Sequence, residues 1–402
     1  MTRSWVERAI DVIAAFLLMA VAFSGSYAVY VNGSIFMAPA AALTLALALS
    51  LMVRAFVDDV PRWLIDGLGA AALALYLVYA AVVFSIWNRP FAGTDEILFA
   101  YYADYLLAHG VNPYLASMAP IIERYHSLAT ALLTGGFGDR YSYPALSFLI
   151  FMPFYLAGVR NFAAVQLLFL GLAMLILYRD TPPRWRALAV MALLIAPAQF
   201  QYAAGGVMDV IWMPLLLLSM RFMERGRHGA AGLLLGLADS VKQTPWIVLP
   251  YLAIYYFRNR GRLGRRPAVE FFAWWFTGFA AVNAPFALWP PSPSTFSAWL
   301  TGVLYPAAAP TASQGFALAL LNMTASALPH GLITALTIAW AAATLAMYWS
   351  NSDRPDAVWL AYVMPALVYF ATWRSLANYF MSFVPVAYYA VLMMAKMRGE
   401  AK

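Results

Sequence analysis

Cysteine is absent from this chain of 402 residues, and charged residues make up only 11% of it. The first absence excludes disulfide bonds, thiolate nucleophiles and cysteine metal ligands, and it leaves the redox compartment undetermined. Alternating segments of about 10 residues, which a transmembrane barrel needs, are missing too, because 16–31 and 70–87 are apolar on every face. Hydrophobic residues account for 64% of the chain. The composition therefore predicts an all-α, polytopic helical membrane protein.

Repeated apolar stretches reach the roughly 20 residues that a helix needs to cross a bilayer, and we expect about 11–13 transmembrane helices. Spans are predicted near 9–31, 35–56, 63–87, 144–158, 161–178, 187–203, 207–223, 269–289, 331–350, 357–373 and 377–396. If both segments between 143 and 178 crossed the membrane, the loop with Arg179, Arg184 and Arg186 would lie outside the cytoplasm, against the positive-inside tendency. One of the two segments is therefore predicted to be re-entrant. Residues 229–257 predict a broken element, and the proline-rich stretch 290–310 predicts an outside loop.

The net charge of +7 is confined largely to arginines in short loops. Such arginines are topology signals, and they favour a cytoplasmic loop near 258–266 and another near 221–227 rather than a nucleic-acid partner. Counting spans from these loops places the segment 88–142 outside the cytoplasm. Two short helices lying at the membrane interface are predicted there, with a break at 110–113.

An adjacent acidic pair, Asp95 and Glu96, lies in this outside segment just after a long apolar span. Carboxylates are costly in hydrocarbon, so such a pair is expected at the mouth of a water-facing cavity, where chemistry or ion binding can take place. A solvated loop start is the alternative interpretation.

Short motifs follow the acidic pair in a fixed order. A helix containing tyrosine ends in G-x-N-P-Y, and a Y-P-A-L element, a small-residue run and a lysine-proline pair come later. The residues are Tyr102, Ala103, Leu107, Gly110, Asn112, Pro113 and Tyr114, then Tyr141 to Leu146, Gly232 to Ala238, Lys242 and Pro245. A fainter match lies at Asn378 and Tyr379 in the last span. Their order and sidedness resemble the polyprenyl-phosphate-sugar-dependent glycosyltransferases of the GT-C superfamily, in the bacterial and archaeal mannosyltransferase-like branch.

The resemblance covers roughly 93–250 and departs from the family in two ways. About three spans precede the acidic loop instead of one, and the family's Y-P-P-L element reads Y-P-A-L here. We accordingly expect one integral membrane domain over 1–402. It divides into an N-terminal helix pair at 1–62, a catalytic module at 63–257 with its outside loop at 88–142, and C-terminal helices at 258–402.

The family resemblance implies transfer of a monosaccharide from a polyprenyl- or dolichyl-phosphate donor to a glycan or lipid-linked acceptor. Mannose is the sugar that it favours. An inverting displacement needs one base, and we assign that role to Asp95 as a hypothesis, with Glu96 orienting it, contacting sugar hydroxyls or helping to hold a divalent cation. No metal ligand set or cofactor is otherwise indicated, because the acids lack nearby histidines.

The leaving phosphate needs a cation near the outer membrane surface. Lys242, the one lysine before the C-terminal tail, is the first candidate, and an ion pair with Asp239 is its alternative role. Arg374 is the second candidate, with snorkelling as the alternative. Substrate binding is predicted for Tyr102, Tyr114, Tyr141, Tyr143 and Asp209. Interfacial anchoring of Tyr141 and Tyr143 and a solvated turn for Asp209 are the competing interpretations.

Two other functions fit the composition. An ion-coupled secondary transporter would also show broken helices with Lys242 and Asp239 at depth, although no two-fold repeat is evident. A non-catalytic scaffold of a glycan-assembly complex would make Asp95 dispensable. The expected location is the cell membrane, with the active site on the extracytoplasmic side.

Overall fold

The computed structural model describes 62–89, 94–127, 129–183, 205–309, 311–312, 314–315, 319 and 329–398, together with a few isolated positions. The predicted spans near 9–31, 35–56 and 187–203 lie wholly or almost wholly outside the described residues.

Helices form nearly all of the regular structure. In chain order they are α1 Arg62–Ser85, α2 Asp95–Ala108, α3 Ala119–Tyr125, α4 Leu146–Leu149, α5 Met152–Leu156, α6 Phe162–Asp180, α7 Asp209–Glu224, α8 His228–Asp239, α9 Val248–Arg258, α10 Arg260–Leu263, α11 Arg266–Leu288, α12 Pro293–Ala308, α13 His330–Trp349, α14 Ala357–Val363, α15 Ala377–Met381 and α16 Val384–Met397. Within the described ranges three 3₁₀ segments accompany them, at Pro113–Leu115, Thr244–Ile247 and Met364–Ala371. Two short parallel strands, β1 Gln314–Gly315 and β2 Arg374–Ser375, pair with each other. The all-α prediction is confirmed.

Four helical stretches in the described part are long and apolar enough to cross a membrane, namely Phe162–Asp180, Arg266–Leu288, Gly331–Trp349 and Asn378–Met397. Two shorter apolar stretches, Gly69–Ser85 and Ala357–Ala371, coincide with further predicted spans. Trp274, Phe276 and Ile338 are among the large apolar side chains on these helices that stay exposed, as a lipid-facing surface requires. The chain is therefore a polytopic integral membrane protein.

The chain forms two compact units. One comprises Met1–Ser85 and Gly171–Gln201, and the other comprises Ile86–Leu170 and Tyr202–Lys402. Helix α6 begins in the second unit and ends in the first. All residues of the site described below belong to the second unit. The three-part division made from the sequence stays a prediction.

The two segments between 143 and 178 differ in length. The first is split into α4 and α5, which together cover Leu146 to Leu156, whereas the second is the 19-residue helix α6. At about 1.5 Å per residue the first pair reaches roughly half the thickness of a hydrocarbon core. The α4–α5 pair is therefore the shorter candidate for the re-entrant element, which stays a prediction.

The prediction of a broken element at 229–257 is confirmed. Helix α8 ends at Asp239, a 3₁₀ segment begins at Thr244, and α9 continues from Val248. Helix α8 packs closely against α11, because a Cβ on Gly232 or Gly236 would lie 2.0 or 2.2 Å from a backbone oxygen of that helix. This close packing fixes the end of α8, and with it the turn that carries Lys242.

The prediction of a loop at 290–310 is wrong, because most of it is the helix α12, whereas its location outside the cytoplasm stays a prediction. Pro293 lies in the first turn, where the missing N–H costs nothing, and the Ser292 side chain accepts a hydrogen bond from Ser294 N as a helix cap. Pro306 falls in the last turn. The prolines therefore mark the ends of a helix here.

Candidate active site

A cavity of about 400 Å³ lies where α2 meets the turn after α8 and the segment after the 3₁₀ helix Met364–Ala371. Its volume falls in the range of roughly 300–1,000 Å³ that is typical of small-molecule sites. The lining residues are Asp95, Glu96, Phe99, Thr130, Gly138, Arg140, Ser142, Tyr143, Lys242, Gln243, Thr244, Trp246, Val303, Leu304, Tyr305, Pro306, Ala307, Thr311, Thr334, Thr337, Ile338, Tyr369, Thr372, Trp373, Arg374 and Tyr379.

Asp95 is half-buried in the first turn of α2, with its carboxylate on the cavity wall. One oxygen, Oδ2, accepts two hydrogen bonds from Thr130, one from the backbone N and one from Oγ1, both at 2.9 Å. No hydrogen bond from the described residues reaches the other oxygen, Oδ1. The carboxylate is thus held at one oxygen and able to accept a proton at the other.

Glu96 is buried, and both of its carboxylate oxygens are engaged. Oε2 accepts from Met208 N at 2.8 Å, and Oε1 accepts from Lys242 Nζ at 2.7 Å. Lys242 also donates to Asp209 Oδ2 at 2.8 Å, and Asn378 Nδ2 donates to the same oxygen at 2.6 Å. One ammonium therefore bridges carboxylates of α2 and α7 at the cavity wall, and Asn378 connects this pair to α15.

The structure corrects the alternative roles considered for two of these residues. Lys242 does not pair with Asp239, whose Oδ2 accepts from Trp275 Nε1 at 2.7 Å instead. Asp209 is not a solvated turn acid, because it is fully buried in the first turn of α7 and bonds Trp212 Nε1 as well as Lys242. It does not line the cavity, so its contact with substrate stays a prediction that the geometry does not favour.

Arg374 lies on β2 and is half-buried at the cavity wall. Its Nη1 donates to Thr130 Oγ1 at 3.2 Å. Its Nε is buried and has no hydrogen-bond partner among the described residues. Unlike Lys242, this cation has donor groups left over, so Arg374 is the better placed of the two predicted phosphate ligands.

Of the tyrosines predicted to bind substrate, Tyr143 lines the cavity, and Lys242 Nζ lies 5.7 Å from its ring centre. Tyr114 and Tyr141 are buried behind it, where Tyr114 donates its hydroxyl proton to Tyr143 O at 2.6 Å. Tyr102 stacks on Tyr105 with ring centres 5.8 Å apart and does not line the cavity. Tyr114 and Tyr141 are therefore placed as supporting residues of Tyr143, whereas Tyr102 has no such role.

The G-x-N-P-Y motif has a structural role in this arrangement. Asn112 Nδ2 donates to the backbone oxygens of Phe286 and Trp289 at the end of α11, and its Oδ1 accepts from Tyr114 N. The motif therefore ties the segment after α2 to the end of α11, which is long and apolar enough to span a membrane, and it positions the tyrosine that supports Tyr143.

Sequence reasoning missed several cavity residues. Thr130 contacts both Asp95 and Arg374, Arg140 adds a second arginine, and Gln243 donates to Ser142 O and Val303 O. Gln243 follows Lys242 directly, which is a signal that could have found it. A threonine in an irregular loop carries no such signal.

Burial raises the pKa of two acids on α2. It raises the pKa of the Glu96 carboxyl above its ordinary value, although Lys242 and Met208 N act in the opposite direction. Burial also raises the pKa of Asp104 to about 9, and neither oxygen of Asp104 has a hydrogen-bond partner in the described part of the chain. Asp104 is therefore neutral near pH 7.

No group of three or more His, Cys, Asp or Glu side chains within the described ranges is placed to hold a metal ion. The space between Glu96 and Asp209 is occupied by Lys242 Nζ. A divalent cation stays a prediction for which the described residues offer no ligand set.

Comparison with known families supplies the class of the reaction. Residues 141–373, more than half of the chain, match the model of glycosyltransferase family 87. No curated protein and no solved structure matches the chain significantly. The matched region contains Tyr143, Lys242 and Asp209, whereas Asp95, Glu96 and Thr130 precede it and Arg374 directly follows it. The chain therefore belongs to glycosyltransferase family 87, and it is a membrane-embedded sugar transferase consistent with the GT-C type.

Proposed function

We propose that the protein transfers a monosaccharide from a polyprenyl-phosphate donor to a hydroxyl of a glycan or glycolipid acceptor, with inversion at the anomeric carbon. The observation that carries this proposal is the pairing of a carboxylate and a guanidinium across one cavity. Asp95 Oδ2 and Arg374 Nη1 lie 2.9 and 3.2 Å from the same atom, Thr130 Oγ1. A base and a phosphate-binding cation are thus neighbours.

The step that we infer uses both groups. Asp95 Oδ1 accepts the proton of the acceptor hydroxyl as that oxygen attacks the anomeric carbon. The bond between the anomeric carbon and the phosphate oxygen breaks on the opposite face, and the bonding electrons leave with the polyprenyl phosphate. Arg374 stabilises the charge that develops on this phosphate, since a guanidinium matches phosphate oxygens in charge and geometry.

Inversion is favoured by the number of free carboxylates. Two acids line the cavity, and both oxygens of Glu96 are bonded to Lys242 and Met208. Asp95 is left as the one lining carboxylate with an oxygen that is not engaged by described residues. A retaining double displacement would need a separate nucleophile and acid, whereas a single displacement from a phosphate leaving group needs one base.

A lipid-linked donor is supported by apolar side chains in the cavity lining. Leu304 on α12 and Ile338 on α13 line the cavity, and their exposed fractions are 41% and 64% respectively. Ile338 belongs to a stretch that is able to span the membrane. A prenyl chain could leave the cavity past these side chains without entering water, whereas a nucleotide-sugar donor would gain nothing from them.

The finer details rest on the sequence. Mannose is favoured by the resemblance to the mannosyltransferase-like branch. The loop arginines favour a cell-membrane location with Asp95 on the extracytoplasmic side. Family membership weighs against the transporter interpretation, because it assigns sugar transfer to the chain.

The test is a donor panel with purified protein in lipid nanodiscs. Radiolabelled polyprenyl-phosphate mannose, glucose and arabinose are compared with GDP-mannose and UDP-glucose, each with a membrane glycolipid extract as acceptor. We expect product from a polyprenyl-phosphate donor alone, with mannose giving the highest rate, and an inverted anomeric centre by NMR. Product from a nucleotide sugar, or retention of configuration, would refute the proposal.

A further inference from the structure

Thr130 lies between the proposed base and the proposed phosphate ligand, and it touches both. Its backbone N and Oγ1 each donate to Asp95 Oδ2 at 2.9 Å, and Oγ1 accepts from Arg374 Nη1 at 3.2 Å. We propose that Thr130 is a positioning residue that holds the Asp95 carboxylate and the Arg374 guanidinium in a fixed relation during sugar transfer. This inference rests on the function proposed above for Asp95 and Arg374.

The direction of each hydrogen bond follows from the chemistry of the partners. An ionised carboxylate can only accept and a guanidinium can only donate, whereas a hydroxyl has one proton to give and lone pairs to offer. The Thr130 hydroxyl proton therefore points at Asp95, and an oxygen lone pair faces Arg374. Serine could make the same two contacts, but valine, which has the same shape, could make neither.

The backbone around Thr130 is held independently of its side chain. Gly138 N donates to Thr130 O at 2.9 Å, and Ala131 pairs with Phe137 across the same hairpin. Ala312 N donates to Ala131 O at 3.0 Å, which connects the hairpin to the segment that carries β1. Strand β1 in turn pairs with β2 at Arg374. Replacing the hydroxyl should therefore leave the loop in place.

A single atom, Thr130 Oγ1, contacts two groups that are far apart in the sequence. Asp95 and Arg374 are on different elements, α2 and β2, and the structure gives them no direct hydrogen bond to each other. Without the Thr130 hydroxyl, each group would be free to move toward the other or toward water. The base would then lose its orientation toward the acceptor, and the phosphate ligand would lose its position relative to the base.

The charged groups around Asp95 are Glu96 on the same helix, Arg374 on β2, and Lys242 and Arg140 on the cavity wall. A Thr130 substitution removes none of these charges, although it removes the hydrogen bond that Arg374 donates to the hydroxyl. A change in the protonation of Asp95 in a Thr130 variant would therefore report the loss of the hydroxyl. Hydrogen bonds to a carboxylate favour its charged form, so their loss moves protonation to higher pH.

The experiment compares Thr130→Val and Thr130→Ser with the wild type in the transfer assay from pH 4 to pH 9. We expect Thr130→Val to lower kcat/KM about tenfold or more at neutral pH. The acid limb of the profile should move to higher pH. Thr130→Ser should retain most of the activity and the original acid limb. Thr277→Val, which removes an exposed hydroxyl from α11, is the matched control and should behave as the wild type.

Two results would overturn the inference: an unchanged rate in Thr130→Val, or a lower rate with an unmoved acid limb, which a purely structural role would give. Thr130→Ala replaces the valine variant if that variant does not fold. Failure of the proposed function is distinguishable, because wild type would then transfer no sugar or Asp95→Asn would transfer it normally. In that case infrared spectroscopy tests the positioning role without an activity assay. The carboxyl band of Asp95 is identified as the band that is absent from Asp95→Asn, and its titration midpoint is measured in the wild type and in the Thr130 variants. A midpoint raised in Thr130→Val but not in Thr130→Ser supports the positioning role, and an unmoved midpoint refutes it.

Discussion

Removal of the Lys242 ammonium is the perturbation with the largest expected effect on stability. Lys242 is buried and bridges Glu96 Oε1 at 2.7 Å and Asp209 Oδ2 at 2.8 Å. Lys242→Met keeps the aliphatic stem but leaves two buried carboxylates without a counter-ion. Breaking a buried ion pair by deleting one partner costs about 3–5 kcal/mol, because the remaining charge has lost its compensation. Two carboxylates share this lysine, so we expect the upper end of that range.

Thermal denaturation in detergent micelles is the assay, and a second lysine supplies the control. Lys396 lies 3.5 Å from Glu224, and both side chains are about one-third exposed. Lys396→Met should cost less than about 1 kcal/mol, since exposed pairs are worth little. Neutralising the network in the triple variant Glu96→Gln, Asp209→Asn and Lys242→Met should recover much of the lost stability. If Lys242→Met denatured at the same temperature as Lys396→Met, the buried network would not have the energetic role argued here.

Two further predictions concern the packing of α2 and α8. The pKa of Asp104 is raised from its ordinary 3.8 to about 9, so the folded state binds a proton that the unfolded state has lost. The free energy of unfolding of the wild type should therefore fall as pH rises between these two values. In Asp104→Asn this contribution to the fall should vanish when denaturation is followed across that range. An identical pH dependence in both proteins would contradict the buried neutral acid. The second prediction is that Gly236→Ala, which would place its Cβ 2.2 Å from Trp275 O, destabilises the protein by about 1–3 kcal/mol. Gly261→Ala, whose Cβ would meet nothing within 4 Å, should be neutral in the same denaturation assay.

The sequence predicted the helices well where the length of an apolar stretch, or polar residues interrupting it, determined where a helix begins and ends. Residues 229–257 showed Asp239, Lys242 and Pro245 in the middle of an apolar stretch, and the helix is broken there. Residues 290–310 showed prolines, which were interpreted as a loop. The structure has a helix because Pro293 and Pro306 fall in its first and last turns, and that position depends on the cap at Ser292.

The site was predictable in its residue types but not in its pairings. Asp95, Glu96, Lys242 and Arg374 were proposed from the sequence, and they line one cavity. The predicted partner of Lys242 was Asp239 because helical spacing is local information. Its real partners lie 146 and 33 residues away along the chain, and only the tertiary packing brings them together.

Thr130 could not be found from the sequence for a related physical reason. Its importance comes from the two groups that it touches, and neither is near it in the chain. A threonine in an irregular loop is compositionally ordinary. Acids and lysines in an apolar chain are noticed because their burial is costly, whereas a hydroxyl has a low cost and gives no comparable signal.

The rate of sugar transfer by Asp95→Asn tests the central claim most directly. Asparagine keeps an oxygen that can accept the Thr130 hydrogen bonds, but it cannot take the proton of the acceptor hydroxyl. General-base catalysis contributes roughly 10²–10⁴-fold, so kcat should fall at least about 100-fold while the thermal midpoint stays close to that of the wild type. Asp353→Asn, which changes an exposed acid in the loop before α14, is the control and should transfer normally. Transfer by Asp95→Asn within a few-fold of the wild-type rate would contradict the assignment of Asp95 as the base.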